Sequence, residues 1–152
     1  MITTIRTQSD HADFQKLVKA LDIELQLRDG AEHGFYAQFN SIATIKHVVV
    51  AYHENEAVGC GAFKAYDDET MEIKRMYVKP EQRGKGIASI VLKDLEKWVD
   101  ELNYKKCLLE TGIRQPEAIA LYTKNQYQII PNFGQYEGVA DSVCFEKRID
   151  TK

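Results

Sequence analysis

VKPEQRGKGIA, residues 78–88, places a glycine-rich basic turn between a strand-like run and a long stretch of helical periodicity. The first backbone N–H groups of a helix have no partner inside it, and the helix dipole adds positive potential at that end, so such a junction attracts phosphate oxygens. Gly84 and Gly86 lack the Cβ that holds a ligand away, and they reach torsions that aim successive N–H groups at one diphosphate. Arg83 and Lys85 add charge, and Ile87 and Ala88 begin the helix. Neither the GK[ST] ending of a nucleotide P-loop nor GxGxxG is present. Taken alone, RGKG is equally compatible with a flexible loop that precedes a helix.

On the C-terminal side, residues 85–103 predict a helix with Ala88, Val91, Leu92, Leu95, Trp98, Val99 and Leu102 on one apolar stripe and charge on the opposite face. On the N-terminal side, residues 71–78 read as a long strand that stops before Pro80. Residues 57–66 form a strand in which Gly59 and Gly61 imply close backbone approach, and a turn at 54–56 joins it to a buried strand over 45–52. The two long strands pair antiparallel. Nearer the start, residues 3–7 alternate as a strand. Ser9 or Asp10 then caps a helix carrying Phe14, Leu17, Val18, Leu21 and Leu25, which Gly30 ends, and a second short helix covers about residues 33–40. Beyond residue 103, residues 107–109 with their flanks form a strand, Pro116 opens a helix through Asn125, and residues 141–149 form a final strand. The order β, α, α, β, β, β, α, β, α, β, β first meanders and then alternates, which predicts an α/β (mixed α+β) fold with a mixed sheet and helices on both faces.

A chain of 152 residues with 44% apolar and 28% charged residues is one globular domain, residues 1–152. A net charge of -3 without long like-charge blocks gives no footprint for nucleic acid or an anionic membrane surface. No stretch reads as a signal peptide or a bilayer span, and Cys60, Cys107 and Cys144 lie apart in apolar segments, so a reduced, cytoplasmic protein is expected. His11, His33, His47 and His53 show no paired ligand spacing with the cysteines, so no metal is expected.

Arg83, Gly86 and Ala88 satisfy the pattern of Arg or Gln, two residues, Gly, one residue, then Gly or Ala, and with it the chain resembles the GNAT N-acetyltransferase superfamily. MEIKRMYVKP, IASIVLKDLEKWVDELNY, CLLETG and PEAIALYTKNQY follow in the order that family requires, from about residue 57 to 127. The resemblance implies acetyl-CoA as co-substrate. It also implies a largely antiparallel sheet with one parallel pair of strands that splay apart, and a pantetheine arm in the gap held by Met76, Tyr77 and Val78. A backbone N–H there would hold the acetyl carbonyl and its developing oxyanion.

Direct transfer needs a free amine, and an alkylamine with a pKa of about 10.4 is mostly protonated at neutral pH, so a base must help. Glu72 matches the family's base position, although a salt-bridged strand carboxylate is the competing reading, and Glu110 in ETG is the reserve. Tyr122 aligns with the tyrosine that hydrogen-bonds the departing sulfur, and Asn125 is placed beside the coenzyme. Two positions depart from the family: Gln126 stands where glycine is frequent, and Thr111–Gly112 stand where some members have a catalytic asparagine. The acceptor site falls to the first helices and PNFGQYEGVADS, with Phe133, Tyr136 and either Phe35 or Tyr36 as walls. A small-molecule primary amine is the expected acceptor. A peptide amine, and a non-catalytic acetyl-CoA sensor, are the alternatives, and a homodimer is compatible with the family.

Overall fold

The computed structural model describes residues 1–29 and 45–149. Among them, seven strands form one sheet in the order β1-β2-β3-β4-β5-β7-β6, with β1 Ile2–Thr7, β2 His47–His53, β3 Glu56–Ala65, β4 Thr70–Val78, β5 Lys106–Gly112, β6 Gln128–Ile130 and β7 Ser142–Arg148. Helix α1 spans Ala12–Asp29, α2 Ile87–Glu101 and α3 Pro116–Lys124. Every neighbouring pair is antiparallel except β4–β5. The mixed α+β fold, the antiparallel β3–β4 pair and the order of elements agree with the sequence reading. Gly30, the short helix over 33–40, Phe35 and Tyr36 lie outside the described residues.

One apolar cluster joins α2 to the sheet through Val91, Leu92, Leu95 and Val99, packed on Val49, Phe63, Met71 and Ile73. A second joins α1 to the opposite face through Phe14, Leu17, Val18 and Leu21, packed on Val48, Val50, Cys60 and Tyr77. The hairpin between β2 and β3 turns on Glu54 and Asn55, both at positive φ, as a two-residue connection requires. The cap of α1 differs from expectation: the His11 ring nitrogen Nδ1 accepts from the Asp13 N–H at 3.3 Å, and Ser9 contributes only its carbonyl, to Gln15. Leu102 is 37% exposed, so the stripe of α2 ends at Val99.

Strand β4 carries a bulge. Its register against β3 shifts between Cys60 and Ala62, and Arg75 sits at φ 59. The extra residue changes which face each side chain takes. Met71, Ile73, Met76 and Val78 meet the α2 cluster. Glu72, Lys74, Arg75 and Tyr77 turn to the α1 side, where Arg75 Nη2 donates to the Val18 carbonyl and pairs with Asp22, and Lys74 meets Glu72. Gly61 makes room for this: a Cβ there would lie 2.5 Å from Met76 Sδ, 2.8 Å from Leu95 Cδ1 and 3.0 Å from Val91 Cγ1. The close approach inferred for Gly59 and Gly61 therefore has a partner, the bulged strand and α2 above it.

Helix α3 ends in a Schellman motif. The Tyr127 N–H donates to the Tyr122 carbonyl at 3.0 Å and the Gln126 N–H to the Thr123 carbonyl at 3.1 Å, while the Tyr122 and Tyr127 rings pack edge to face at 5.8 Å. Gln126 holds the left-handed position, at φ 72, that glycine fills at low cost. Tyr127 donates its hydroxyl to Glu96 at 2.9 Å, and Lys147 Nζ donates to the other carboxylate oxygen at 2.9 Å. A charged residue thus sits on the buried side of α2, where sequence periodicity placed only apolar groups.

Replacing Gly61 by Val forces the bulge and α2 apart. It is expected to lower Tm by about 3–10 °C in thermal unfolding, since overpacking a dense core costs about 1–3 kcal/mol. Gln126→Gly has the opposite sign. Relief of the left-handed torsion, which costs a side-chain-bearing residue about 1–2 kcal/mol, less the extra chain entropy of glycine, is expected to raise Tm by about 1–4 °C.

Candidate active site

The turn from β4 to α2 is built by two left-handed glycines. Gly84 has φ 81 and Gly86 φ 82, and a Cβ on either would meet no atom within 4 Å, so torsion rather than crowding selects glycine and the surface above it is open. The first backbone bond of α2 runs from the Ile90 N–H to the Gly86 carbonyl at 3.1 Å. That leaves the N–H groups of Ile87, Ala88 and Ser89 directed out of the helix end, a cradle suited to a diphosphate. Arg83 is fixed beside it, with Nε donating to the Val78 carbonyl at 2.8 Å, Nη2 to Glu24 at 2.8 Å, and its carbon 5.5 Å from the Tyr77 ring centroid.

Beyond this turn the two parallel strands separate. Strands β4 and β5 pair only at Thr70–Lys106, Met71–Cys107 and Glu72–Leu108, whereas β4 stays on β3 to Val78 and β5 stays on β7 to Gly112. The gap between the free edges opens as a cleft of about 390 Å³, lined by Met76, Tyr77, Val78, Arg83, Gly84, Gly86, Ile87 and Ala88 on one side and by α3 residues including Ala118, Leu121 and Tyr122 on the other. Strand edges that face a cleft need hydrogen-bond partners, and an amide-bearing chain laid between them supplies both kinds.

A smaller cavity of about 110 Å³ adjoins it on the α1 side of the sheet, lined by Glu72, Lys74, Arg75, Glu110, Tyr122 and Tyr136 among others. Tyr122, Met76, Leu21, Gln115 and Ala118 border both spaces, so Tyr122 stands at their junction. Glu72 is 4% exposed, and its Oε2 accepts from Lys74 Nζ at 3.1 Å. Glu110 Oε2 accepts from the Ser142 hydroxyl at 2.7 Å. Burial, helped by the Glu110 charge, raises the Tyr122 phenol well above its ordinary value, and burial with the Glu110 and Glu72 charges does the same to Tyr136. Both therefore keep their protons as hydrogen-bond donors. The thiols are not candidates for chemistry here, because burial pushes Cys60 and Cys107 up to about 12 and Cys144 up to about 11.

Most of the residues singled out in sequence meet at these two spaces, and three do not. The Lys85 ammonium turns back to Gln82 Oε1 at 3.1 Å. Asn125 Nδ2 donates to Ser89 Oγ at 3.2 Å and to the Leu121 carbonyl at 2.9 Å, tying α3 to the start of α2. Phe133 stands behind Tyr136, edge-on to it at 5.7 Å and to Tyr66 at 5.3 Å, and so braces the wall instead of lining it. The salt-bridged reading of Glu72 meets its partner in Lys74, whereas sequence reasoning missed Arg75, which the bulge brings to the same face, and Glu24, which reaches Arg83 from α1. No local pattern signals either; the strand offered only its glycine-rich partner as a hint.

Residues 14–127 match the Acetyltransferase (GNAT) family. The IAA acetyltransferase of Azospirillum brasilense is 38% identical over 101 residues, which span 65% of this chain and 65% of that protein, slightly under two thirds of its length. A Klebsiella pneumoniae protein, assigned by inference as an acyl-CoA N-acyltransferase, is 32% identical with a TM-score of 0.83, covering 98% of each chain. A GNAT acetyltransferase of Elizabethkingia anophelis, solved with acetyl-CoA bound, has the same fold at 22% identity, with a TM-score of 0.70 and 97% of each chain covered. With its splayed β4–β5 pair, its glycine cradle and a family match across most of its length, the chain belongs to the acetyltransferase (GNAT) family of acyltransferases.

Proposed function

We propose that this protein transfers the acetyl group of acetyl-CoA directly to a primary amine of a small molecule. The observation that carries the reading is the position of Tyr122, a buried phenol on the border between the long cleft and the small cavity that holds Glu72 and Glu110. The cleft suits the coenzyme: its diphosphate on the N–H groups of residues 86–89 and on Arg83, its pantetheine along the free edge at Met76, Tyr77 and Val78. The cavity suits the acceptor, with Tyr136 braced by Phe133 as an aromatic wall. A volume of about 110 Å³ favours a small amine over a folded protein surface.

The amine nitrogen attacks the thioester carbonyl carbon, forming the N–C bond as the C–S bond breaks. The oxyanion in between takes a backbone N–H of the bulged strand. Glu72 accepts the amine proton, directly or through one water, and Lys74 holds its other face in place. Glu110 is the reserve base on the opposite wall. The departing thiolate takes a hydrogen bond from Tyr122 and a proton from solvent, and Glu72 passes the amine proton back to solvent. Asn125 supports the coenzyme indirectly, by fixing Ser89 in the cradle.

The test is CoA-thiol release across a panel of small amines and peptides. Tyr122→Phe removes one hydrogen bond to a forming anion, which is worth about 1.5–3 kcal/mol, so kcat is expected to fall by about 10- to 150-fold with little change in CoA affinity. Glu72→Gln is expected to lower kcat/KM by about 10²-fold or more, and Glu110→Gln by much less; the reverse order assigns the base to Glu110. CoA binding without turnover on any amine or peptide replaces the enzyme with a sensor.

The pH profile supplies a further check. Because its environment moves the Tyr122 phenol upward, the donor form persists through the ordinary tyrosine range near ~10 and is lost only above it. The kcat of the wild type is therefore expected to show no decline centred near pH 10, and a tyrosine-like decline there that vanishes in Tyr122→Phe contradicts the burial of this donor.

A further inference from the structure

The charged residues of α1 are arranged against the cofactor cleft. Glu24 Oε1 takes Arg83 Nη2 at 2.8 Å, and its Oε2 lies 3.8 Å from Arg28 Nε one turn further on. Arg28 continues to Glu117 in the first turn of α3, on the far side of the cleft. Glu24, Arg83 and Glu117 all line that cleft. With Nε committed to the Val78 carbonyl, the guanidinium spends a second nitrogen on a carboxylate. A guanidinium beside a glycine cradle is the fork that a diphosphate recruits, and a carboxylate and a diphosphate on one guanidinium repel each other. The Arg83 and Glu24 side chains are 32% and 22% exposed, a pair too solvated to matter much for folding. Its consequence falls on whatever else seeks Arg83.

We propose that Glu24 is an internal rival of the coenzyme diphosphate: it holds Arg83 to α1, and cofactor binding exchanges that ion pair for an Arg83–diphosphate contact. The inference rests on the acetyl-CoA reading above. The exchange detaches the C-terminal half of α1 from the β4–α2 turn. That same half carries Leu21 and Leu25, which wall the acceptor cavity, so cofactor entry is communicated to the acceptor side through one helix. Glu24 is thus a positioning residue that sets cofactor affinity.

The experiment compares the full-length wild type with Glu24→Gln, using calorimetric titration of CoA and ligand-observed NMR titration of pantetheine, which lacks the diphosphate. Glu24→Gln is expected to tighten CoA by about three- to tenfold and to leave pantetheine within about twofold. Glu24→Asp, which keeps the charge, is expected to stay near the wild type for both. Unchanged or weaker CoA binding in Glu24→Gln overturns the proposal, and so does equal tightening of pantetheine, which marks a reshaped cleft instead of a removed competitor. Near-UV circular dichroism verifies folding of each variant, and Glu24→Ala, read by the same two titrations, decides the matter if the Gln variant does not fold. A wild type that binds no CoA overturns the cofactor reading itself, a result separable from equal CoA affinity in wild type and variant.

Discussion

Three residue pairs of parallel sheet, ending where Glu72 meets Leu108, govern everything else in this molecule. Strand β4 has a full partner in β3, and β5 has one in β7, so the sheet loses no cohesion when the two strands part. What it gains is a pair of free backbone edges inside the fold. Such edges are costly unless water or a ligand meets them, and an extended chain of amides meets them as a further strand would. The glycine turn at the end of β4 adds exposed helix N–H groups at one end of that gap, where negative charge is favoured.

Just past the separation, β4 is irregular. A bulge in β4 turns Lys74 and Arg75 to the same face, and Arg75 takes up a left-handed torsion that disfavours a side-chain-bearing residue. Its buried guanidinium bonds the Val18 carbonyl and Asp22, contacts that offset the torsion and fasten α1 over the bulge. The opposite face accommodates the same bulge because Gly61 leaves space for Met76 beneath α2. One irregular step in one strand therefore fastens α1 through Arg75 and brings Met76 to the border of both cavities. Changing Gly61 therefore reaches the site through Met76, which lines both cavities.

The parts of this fold that follow a period were legible in the sequence. Residues 91, 92, 95 and 99 fall on one side of any helix drawn through them, and Gly59 and Gly61 stand out in an apolar run because a strand interior otherwise fills such positions with side chains. The glycine turn and the helix that starts after it were legible too, since they lie in consecutive residues. Features that join distant segments were not. Nothing beside Glu96 in sequence announces Tyr127 or Lys147, and nothing beside Glu24 announces Arg83, so burial of the one and the ion pair of the other depended on tertiary structure. The cap of α1 escaped for a different reason: Ser9 and Asp10 are better caps by type, yet the chain turns one residue later and presents His11. Gln126 shows the converse, a departure from the family pattern visible in sequence whose meaning, a left-handed torsion closing α3, needed the backbone to be read.

Charge in the small cavity is arranged so that proton positions are settled by placement. Its wall carries two carboxylates, Glu72 and Glu110, and two cations, Lys74 and Arg75; Lys74 pairs with Glu72 and Arg75 with Asp22, while Arg75 Nε is buried without a hydrogen-bond partner among the described residues. Toward the cleft, burial and then the Glu110 charge make loss of the Tyr122 proton harder. Ser142 anchors Glu110, so the influence on Tyr122 is a fixed feature of β5 and β7 and not of a mobile side chain. Under the proposed reaction, Tyr122 therefore stays protonated as a hydrogen-bond donor to the leaving sulfur, and the neighbouring carboxylate helps to keep it so.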